Sequence, residues 1–351
     1  MKEILKSFCN NQNAGQIGTA DYRVVDIEHH YNLEPMLDEY YMKTAGIKYK
    51  ETSEEVHQMT DPLLDLGEGR IKAMDEAGVD YVHFSLATPP GVEWFEPEDG
   101  KKYAALANDH VAAAIAAHPD RFGGFITIYP DDIEWSLQEI DRAAALGLYG
   151  WMAASNFKGE HLDDPKYWPI LAKLEQLGMP VYIHPEFSRV PDIAEFGYCI
   201  NGPSFGFMVD ALTCFMRMVC RGVFDKYPNL KVILGHDGEA LPFLLDRVNT
   251  AYRQCRADKL MSSVCEYEHE PSYYILHNVW LTTSGNFSTE ALRCCIDAMP
   301  EGRVMMSTDY SMEDFAGSVS LIRDNEKLTD AEKKAILGQN AMNLGFGNLN
   351  K

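Results

Sequence analysis

The sequence predicts an α/β fold of the (β/α)8 kind, a TIM-type barrel, and three observations predict it. Eight short apolar runs, rich in β-branched residues, recur along the 351 residues. Each is followed by a stretch with helical period, the alternation that a parallel barrel requires. The runs are almost continuously apolar, as strands covered on both faces are. The hydrophobic fraction of 46% is enough for a large core. No repeat, low-complexity tract or linker divides the chain, so residues 1–351 read as one barrel domain with an N-terminal extension over 1–20.

The elements come in order. VVDIEHH (24–30) is the first strand, and alternation turns Glu28 and His30 one way and His29 the other. The connection 31–68 is too long for a bare helix. VDYVHFSLA (79–87) precedes the alanine-rich helix GKKYAALANDHVAAAIAAHPDRF, and FGGFITIYP (122–130) precedes IEWSLQEIDRAAALG, which stops on a glycine. GLYGWMAAS (147–155) is the fourth strand. YWPILAKLEQLGMP then ends in Gly and Pro, a helix stop, before PVYIHPEF (180–187). A second long connection, 188–229, holds the helix after strand five. LKVILGHDG (230–238), NVWLTTSGN (278–286) and RVMMSTDYS (303–311) complete the set. Both long connections leave C-terminal strand ends, the face where barrel active sites lie, and read as cap insertions over it.

Charge and cysteine usage bound the partners. Net charge is −22, from 31 basic and 53 acidic residues, which excludes nucleic acid and anionic membrane surfaces. An anionic substrate needs local positive charge to overcome that field. The 8 cysteines form no C-x-x-C pair and no framework spacing, so they read as reduced thiols in a cytoplasmic protein. No window holds 18 apolar residues, so nothing is expected to span a membrane.

Four strands end in metal-competent side chains: Glu28 and His30 on strand one, His184 on strand five, His236 on strand six and Asp309 on strand eight. Taken singly, each has an ordinary explanation. A strand-end histidine is commonly a hydrogen-bonded structural residue, Asp309 after Ser-Thr suits a helix cap, and an exposed Glu–His pair is often only solvated. Together they fall at tips that a closed barrel brings to one rim, and that coincidence points to a metal site. His83 lies inside strand two and His110 in a helical stretch. His57, His161, His269 and His277 fall in loops.

E-x-H after strand one, H-P after strand five, GHDGEALPFLLDR after strand six, TTSGNF at strand seven and STDY at strand eight resemble the amidohydrolase superfamily. Within it they are most similar to the branch of metal-dependent, non-oxidative aromatic acid decarboxylases. That branch includes the γ-resorcylate, 2,3-dihydroxybenzoate and 5-carboxyvanillate decarboxylases. The resemblance runs from about residue 22 to the C-terminus, and G-H-x-G-E-x-L-P is its most specific block. It implies one divalent metal per chain, Mn²⁺ or Zn²⁺ with Mg²⁺ third, held by Glu28, His30, His184 and Asp309. It implies His236 and Glu239 as a pair at the reacting face, and Arg247, Asn286 and Phe287 near the substrate. It also implies a homo-oligomer, dimer or tetramer. The chain departs from the pattern at STDYSMED, where relatives often have STDWPFE, which puts Ser311 and Met312 in place of a Pro and a wall-forming Phe. HPEFSR brings Glu186 and Arg189 close to the site. Strand four ends in WMAASNF without the lysine that bridges two metals in hydrolytic relatives, and Lys158 stands three residues beyond Ser155.

The expected reaction is loss of CO2 from a hydroxylated aromatic acid, after protonation of the ring carbon. The rivals are a metal-dependent hydrolase acting on a lactone or amide, a hydratase on the same barrel, and a binding protein on a catalytically dead barrel.

Overall fold

The computed structural model describes residues 22–265 and 267–347, so the 1–20 extension lies outside the described residues. All eight expected strands are present: β1 (Val25–Tyr31), β2 (Tyr81–Leu86), β3 (Phe122–Gly124), β4 (Trp151–Ala154), β5 (Val181–His184), β6 (Val232–Leu234), β7 (Val279–Thr282) and β8 (Val304–Met305). Every ladder is parallel. The ladders make one sheet of order β1-β2-β3 and one of order β4-β5-β6-β7-β8. Continuous pairing does not close the barrel. Single bridges span the two seams, Ile126 to Trp151 and His29 to Tyr310.

Helices alternate with the strands. They are α1 (Glu34–Ala45), α2 (Glu54–Leu64) and α3 (Glu68–Ala77) before β2, and α4 (Pro97–Ala117), α5 (Ile133–Ala145) and α6 (Trp168–Leu177) before β3, β4 and β5. Next come α7 (Gly206–Cys220), α8 (Leu245–Ala257), α9 (Pro271–Asn278), α10 (Thr289–Ala298) and α11 (Phe315–Arg323). The Gly-Met-Pro stop behaves as expected. Gly178 ends α6 at φ 67°, a left-handed position that costs glycine nothing. His57 and His277 correct the loop assignment made for them, because they lie in α2 and α9. Pro62 sits inside α2 and masks its helical pattern.

The core has two layers. Val25, Ile27, Tyr81, Phe125, Tyr182, Ile233 and Met305 converge from six strands or their ends, and Leu344 and Phe346 pack against them. A larger layer lies between strands and helices, with Val82, Phe84, Ile183, Leu234 and Leu281 meeting residues such as Val111, Leu171 and Phe215. Strand side chains thus divide by alternation between barrel interior and helix layer.

Candidate metal centre

β1 delivers its carboxylate and imidazole through a bulge. Val25 and Ile27 belong to the inner cluster, so strict alternation would turn Glu28 and His30 outward. The register with β2 shifts between Asp26 and His29, three residues advancing against two. One extra residue in a strand re-aims the side chains beyond it. Glu28 and His30 therefore face the site, while His29 stacks on Tyr310 at 4.5 Å and its Nδ1 lies 2.7 Å from Asp26 Oδ2.

Glu28, His30 and His184 each offer a ligand atom, all within 4.8 Å of one another. Glu28 Oε2 accepts the Tyr182 hydroxyl at 2.6 Å. Ser85 Oγ lies 2.9 Å from His30 Nδ1, fixing that ring, and His30 Nε2 is 3.0 Å from Asp309 Oδ1. The rings of His30 and His184 meet edge to face, 5.1 Å apart. Glu28 Oε1 and His184 Nδ1 are buried and make no hydrogen bond. Buried polar atoms without partners are costly and call for an explanation. Carboxylate and imidazole donors fit Mn²⁺ or Zn²⁺, so the residues gathered here suit a divalent cation.

His236 and Asp309 face each other beside this set. His236 Nδ1 lies 2.7 Å from Glu239 Oε1, and its Nε2 lies 3.8 Å from Asp309 Oδ2. The loop after β6 is left-handed over five consecutive residues, His236 to Ala240, four of them not glycine, and Asp309 also has a positive φ. Such backbone costs of order 1–3 kcal/mol per residue and collects at functional sites. Ser284 Oγ accepts the His236 amide at 3.2 Å, and a Cβ on Gly285 would stand 2.7 Å from His236 Cδ2. Of TTSGNF, then, Ser284 and Gly285 hold the imidazole.

Burial and charge divide the titrating groups. Burial, with His30 beside it, pushes His184 down to about 3, which keeps it a neutral imidazole fit for ligation. Burial also lowers His30, but the hydrogen-bonded Asp309 carboxylate outweighs it and raises that pKa. His236 is pulled down by burial and pushed well above the ordinary imidazole value by Glu239 and Asp309. Burial would raise Asp309, yet His236 and His30 hold its carboxyl below the usual range. Burial raises Glu28, with His236 opposing.

The remaining candidates are less engaged. Arg247 is exposed on α8, Phe287 is 43% exposed, and Asn286 Oδ1 accepts the Ser288 amide at 3.2 Å. None of the three hydrogen-bonds to the cluster among the described residues. Lys158 Nζ donates to the Tyr129 hydroxyl at 2.8 Å rather than to the Glu28, His30 and His184 cluster. Tyr182, Ser85 and Ser284 carry the site and were missed in the sequence. Tyr182 alone left a signal, two residues before His184 on one strand face. Asp225, Glu268 and His269 form a second acidic group, but Asp225 already accepts the Tyr274 hydroxyl and the Glu268 amide.

Comparison with known proteins gives the chain a family and relatives. A family model described as amidohydrolase matches residues 25–344. The chain is 29% identical over 333 residues to a gamma-resorcylate decarboxylase of Polaromonas sp., covering 91% of this chain and 97% of that protein. It is similar, at TM-score 0.85 and 32% identity, to 5-carboxyvanillate decarboxylase of Novosphingobium aromaticivorans, solved with manganese and 4-hydroxy-3-methoxy-5-nitrobenzoic acid; 92% of this chain and 96% of that one are covered. A dihydroxybenzoic acid decarboxylase of Polaromonas sp. with manganese and 2-nitroresorcinol matches at TM-score 0.81 and 28% identity, over 94% and 98% of the two chains.

Proposed function

From the premise that the chain belongs to the amidohydrolase family, we propose that it is a metal-dependent, non-oxidative decarboxylase of a hydroxylated aromatic carboxylic acid. The observation that carries this reading is the cluster of Glu28, His30 and His184 beside the facing pair His236 and Asp309. The relatives favour decarboxylation over hydrolysis or hydration.

Glu28, His30, His184 and Asp309 hold one divalent cation, with manganese favoured by the relatives' structures. When bound, that cation supplies a Lewis acid for the substrate carboxylate and a neighbouring phenol oxygen. Direct loss of CO2 would leave an aryl carbanion, so ring protonation comes first. His236, which rests as the imidazolium beside the Asp309 carboxylate, passes its Nε2 proton to Asp309 and, oriented by Glu239, takes the phenol proton in its place, and Asp309 then delivers its proton to the carboxylated ring carbon. The C–C bond then breaks, its electron pair restores the aromatic ring, CO2 leaves, and His236 returns the phenol proton to the oxygen and is reprotonated by solvent, which supplies the one proton the overall reaction consumes. Arg247, Asn286 and Phe287 complete the substrate side of this reading.

The remaining proposals concern the setting. Residues 31–68 and 188–229 serve as caps on one barrel domain. The chain works as a homo-oligomer: Phe243 is 82% and Met312 55% exposed, both in segments that lie beyond strand tips, which leaves apolar surface for a second copy. The cytoplasm suits it, since the described cysteines are all unpaired. Among the described residues no helix is long and apolar enough to cross a membrane.

The test is CO2 release from a panel of ortho-hydroxybenzoates by manganese-loaded protein. Turnover of at least one member is expected. Hydrolysis of lactones or amides with no CO2 from the panel would overturn the reading.

A further inference from the structure

Thr88, in the loop after β2, holds its hydroxyl between two carboxylates. Its Oγ1 lies 3.1 Å from Glu93 Oε1 and 2.9 Å from Glu186 Oε1. A threonine hydroxyl has one proton to give, and burial raises both carboxyls, Glu186 to about 8 with Glu93 adding to it, so the pair keeps about one proton and one negative charge and still offers more acceptor oxygens than side-chain donors. Lys158 donates to the Tyr129 hydroxyl and acts on Glu93 through its charge, which favours the ionised carboxylate.

This corner is built rather than incidental. The Glu186 amide donates to Ser155 Oγ at 2.9 Å, and that hydroxyl donates in turn to Asp210, which also accepts from Asn156. Glu93 folds back over Gly91, where a Cβ would overlap both of its carboxylate oxygens. Both glutamates keep partial solvent access.

The corner opens on the candidate metal centre. One cavity of about 60 Å³ is lined by Thr88 and Glu93 together with His184, and its other walls include Phe125, Met152 and Phe157. That space is large enough for a ring substituent of one or two heavy atoms.

We infer that Glu93, with Thr88 and Glu186 behind it, selects the substrate by accepting a hydrogen bond from a hydroxyl or amino substituent on the aromatic acid, and rejects an acid carrying a second carboxylate there. This rests on the reading of the site as one that binds a hydroxylated aromatic acid. The surplus of acceptors favours a donor, and carboxylate against carboxylate is repelled in a partly dry cavity. The chain is therefore expected to be poor on 5-carboxyvanillate, the acid that names one of its relatives.

The experiment uses salicylates bearing amino, hydroxyl, methyl or carboxylate at each ring position in turn. Binding to manganese-loaded protein is measured by calorimetry, and kcat/KM by product formation. Wild type should favour the best donor-bearing acid over its methyl analogue by at least about tenfold, since buried acceptors left unpaired are costly. The carboxylate analogue should rank below methyl. The amino and hydroxyl members tell the two kinds of donor apart. Glu93→Gln should lift the carboxylate analogue toward methyl, and Gly91→Ala, which displaces the Glu93 side chain without removing its charge, should flatten the donor preference. An unchanged ranking in both variants, or a wild type that prefers the carboxylate analogue, overturns the inference. Ordered binding without CO2 release upholds it and sinks the decarboxylase reading. Turnover without the ordering does the reverse, and absence of any binding overturns both.

Discussion

At the scale of residues, the orphaned Glu28 Oε1 and His184 Nδ1 divide the site into parts that mutation can separate. Glu28→Gln and His184→Ala should lose bound metal, and Asp309→Asn should lose part of it. His236→Asn should keep its metal, because His236 is paired with Glu239 instead. All four should lose turnover, by about 10²-fold or more for the proton-handling pair. Elemental analysis beside rates checks this, and equal metal content in Asp309→Asn and His236→Asn would contradict the division of roles. Away from the site, His83 is buried with Nε2 2.9 Å from the Tyr149 carbonyl, and burial pushes it down to about 3. The unfolded chain takes up a proton near the ordinary value of about 6.5, whereas the folded chain does not until about pH 3. Its contribution is thus intact above about pH 6.5 and is lost progressively below, amounting to about 2 kcal/mol by pH 5. Denaturant melts of wild type and His83→Gln at pH 7.5 and 5 should show a smaller acid loss in the variant. The charged strand-tip residues were readable because an apolar run ending in Glu, His or Asp is conspicuous. Tyr182, Ser85 and Ser284 were not, because a hydroxyl within a strand looks like any other strand residue until its partner across the barrel is known.

At the scale of elements, all eight strands were readable from apolar runs, but their ends were not. The run 122–130 pairs as a strand only over Phe122–Gly124, and 303–311 only over Val304–Met305. Beyond these pairs each run keeps a single bridge, at Ile126 and at Tyr310, and the segment after β8 carries Asp309 to the rim at positive φ. The bulge in β1 was equally hidden, since it shows only in the register against β2. One glycine controls how a C-terminal helical turn meets the chain entering β1. In the π-helical turn Ala335–Gln339, a Cβ on Gly338 would run into the backbone carbonyl of Arg23. Backbone cannot swing aside as a side chain does, so Gly338→Ala should cost about 1–3 kcal/mol. A thermal melt reads the loss, and an unchanged midpoint would show that the turn shifts freely.

At the scale of the molecule, a net charge of −22 opposes an aromatic carboxylate, and a bound cation at the rim supplies the local attraction that the chain as a whole lacks. A cation that binds only the folded chain also stabilises it, by about 2.7 kcal/mol at a hundredfold excess over its dissociation constant. Chelation should lower the melting temperature, and added Mn²⁺ should restore it. Family, fold class and chemistry were readable from motifs spread along the chain. The substituent-reading corner was only partly readable: Glu186 after β5 was placed near the site, but Thr88 and Glu93 lie on the connection after β2, and only folding joins the two. The most direct measurement of the central claim is metal content by elemental analysis, on wild type and Glu28→Gln purified without added metal. About one divalent metal per chain in wild type, lost in the variant, is the predicted result. A wild type that stays empty after incubation with Mn²⁺ and Zn²⁺ would contradict the account.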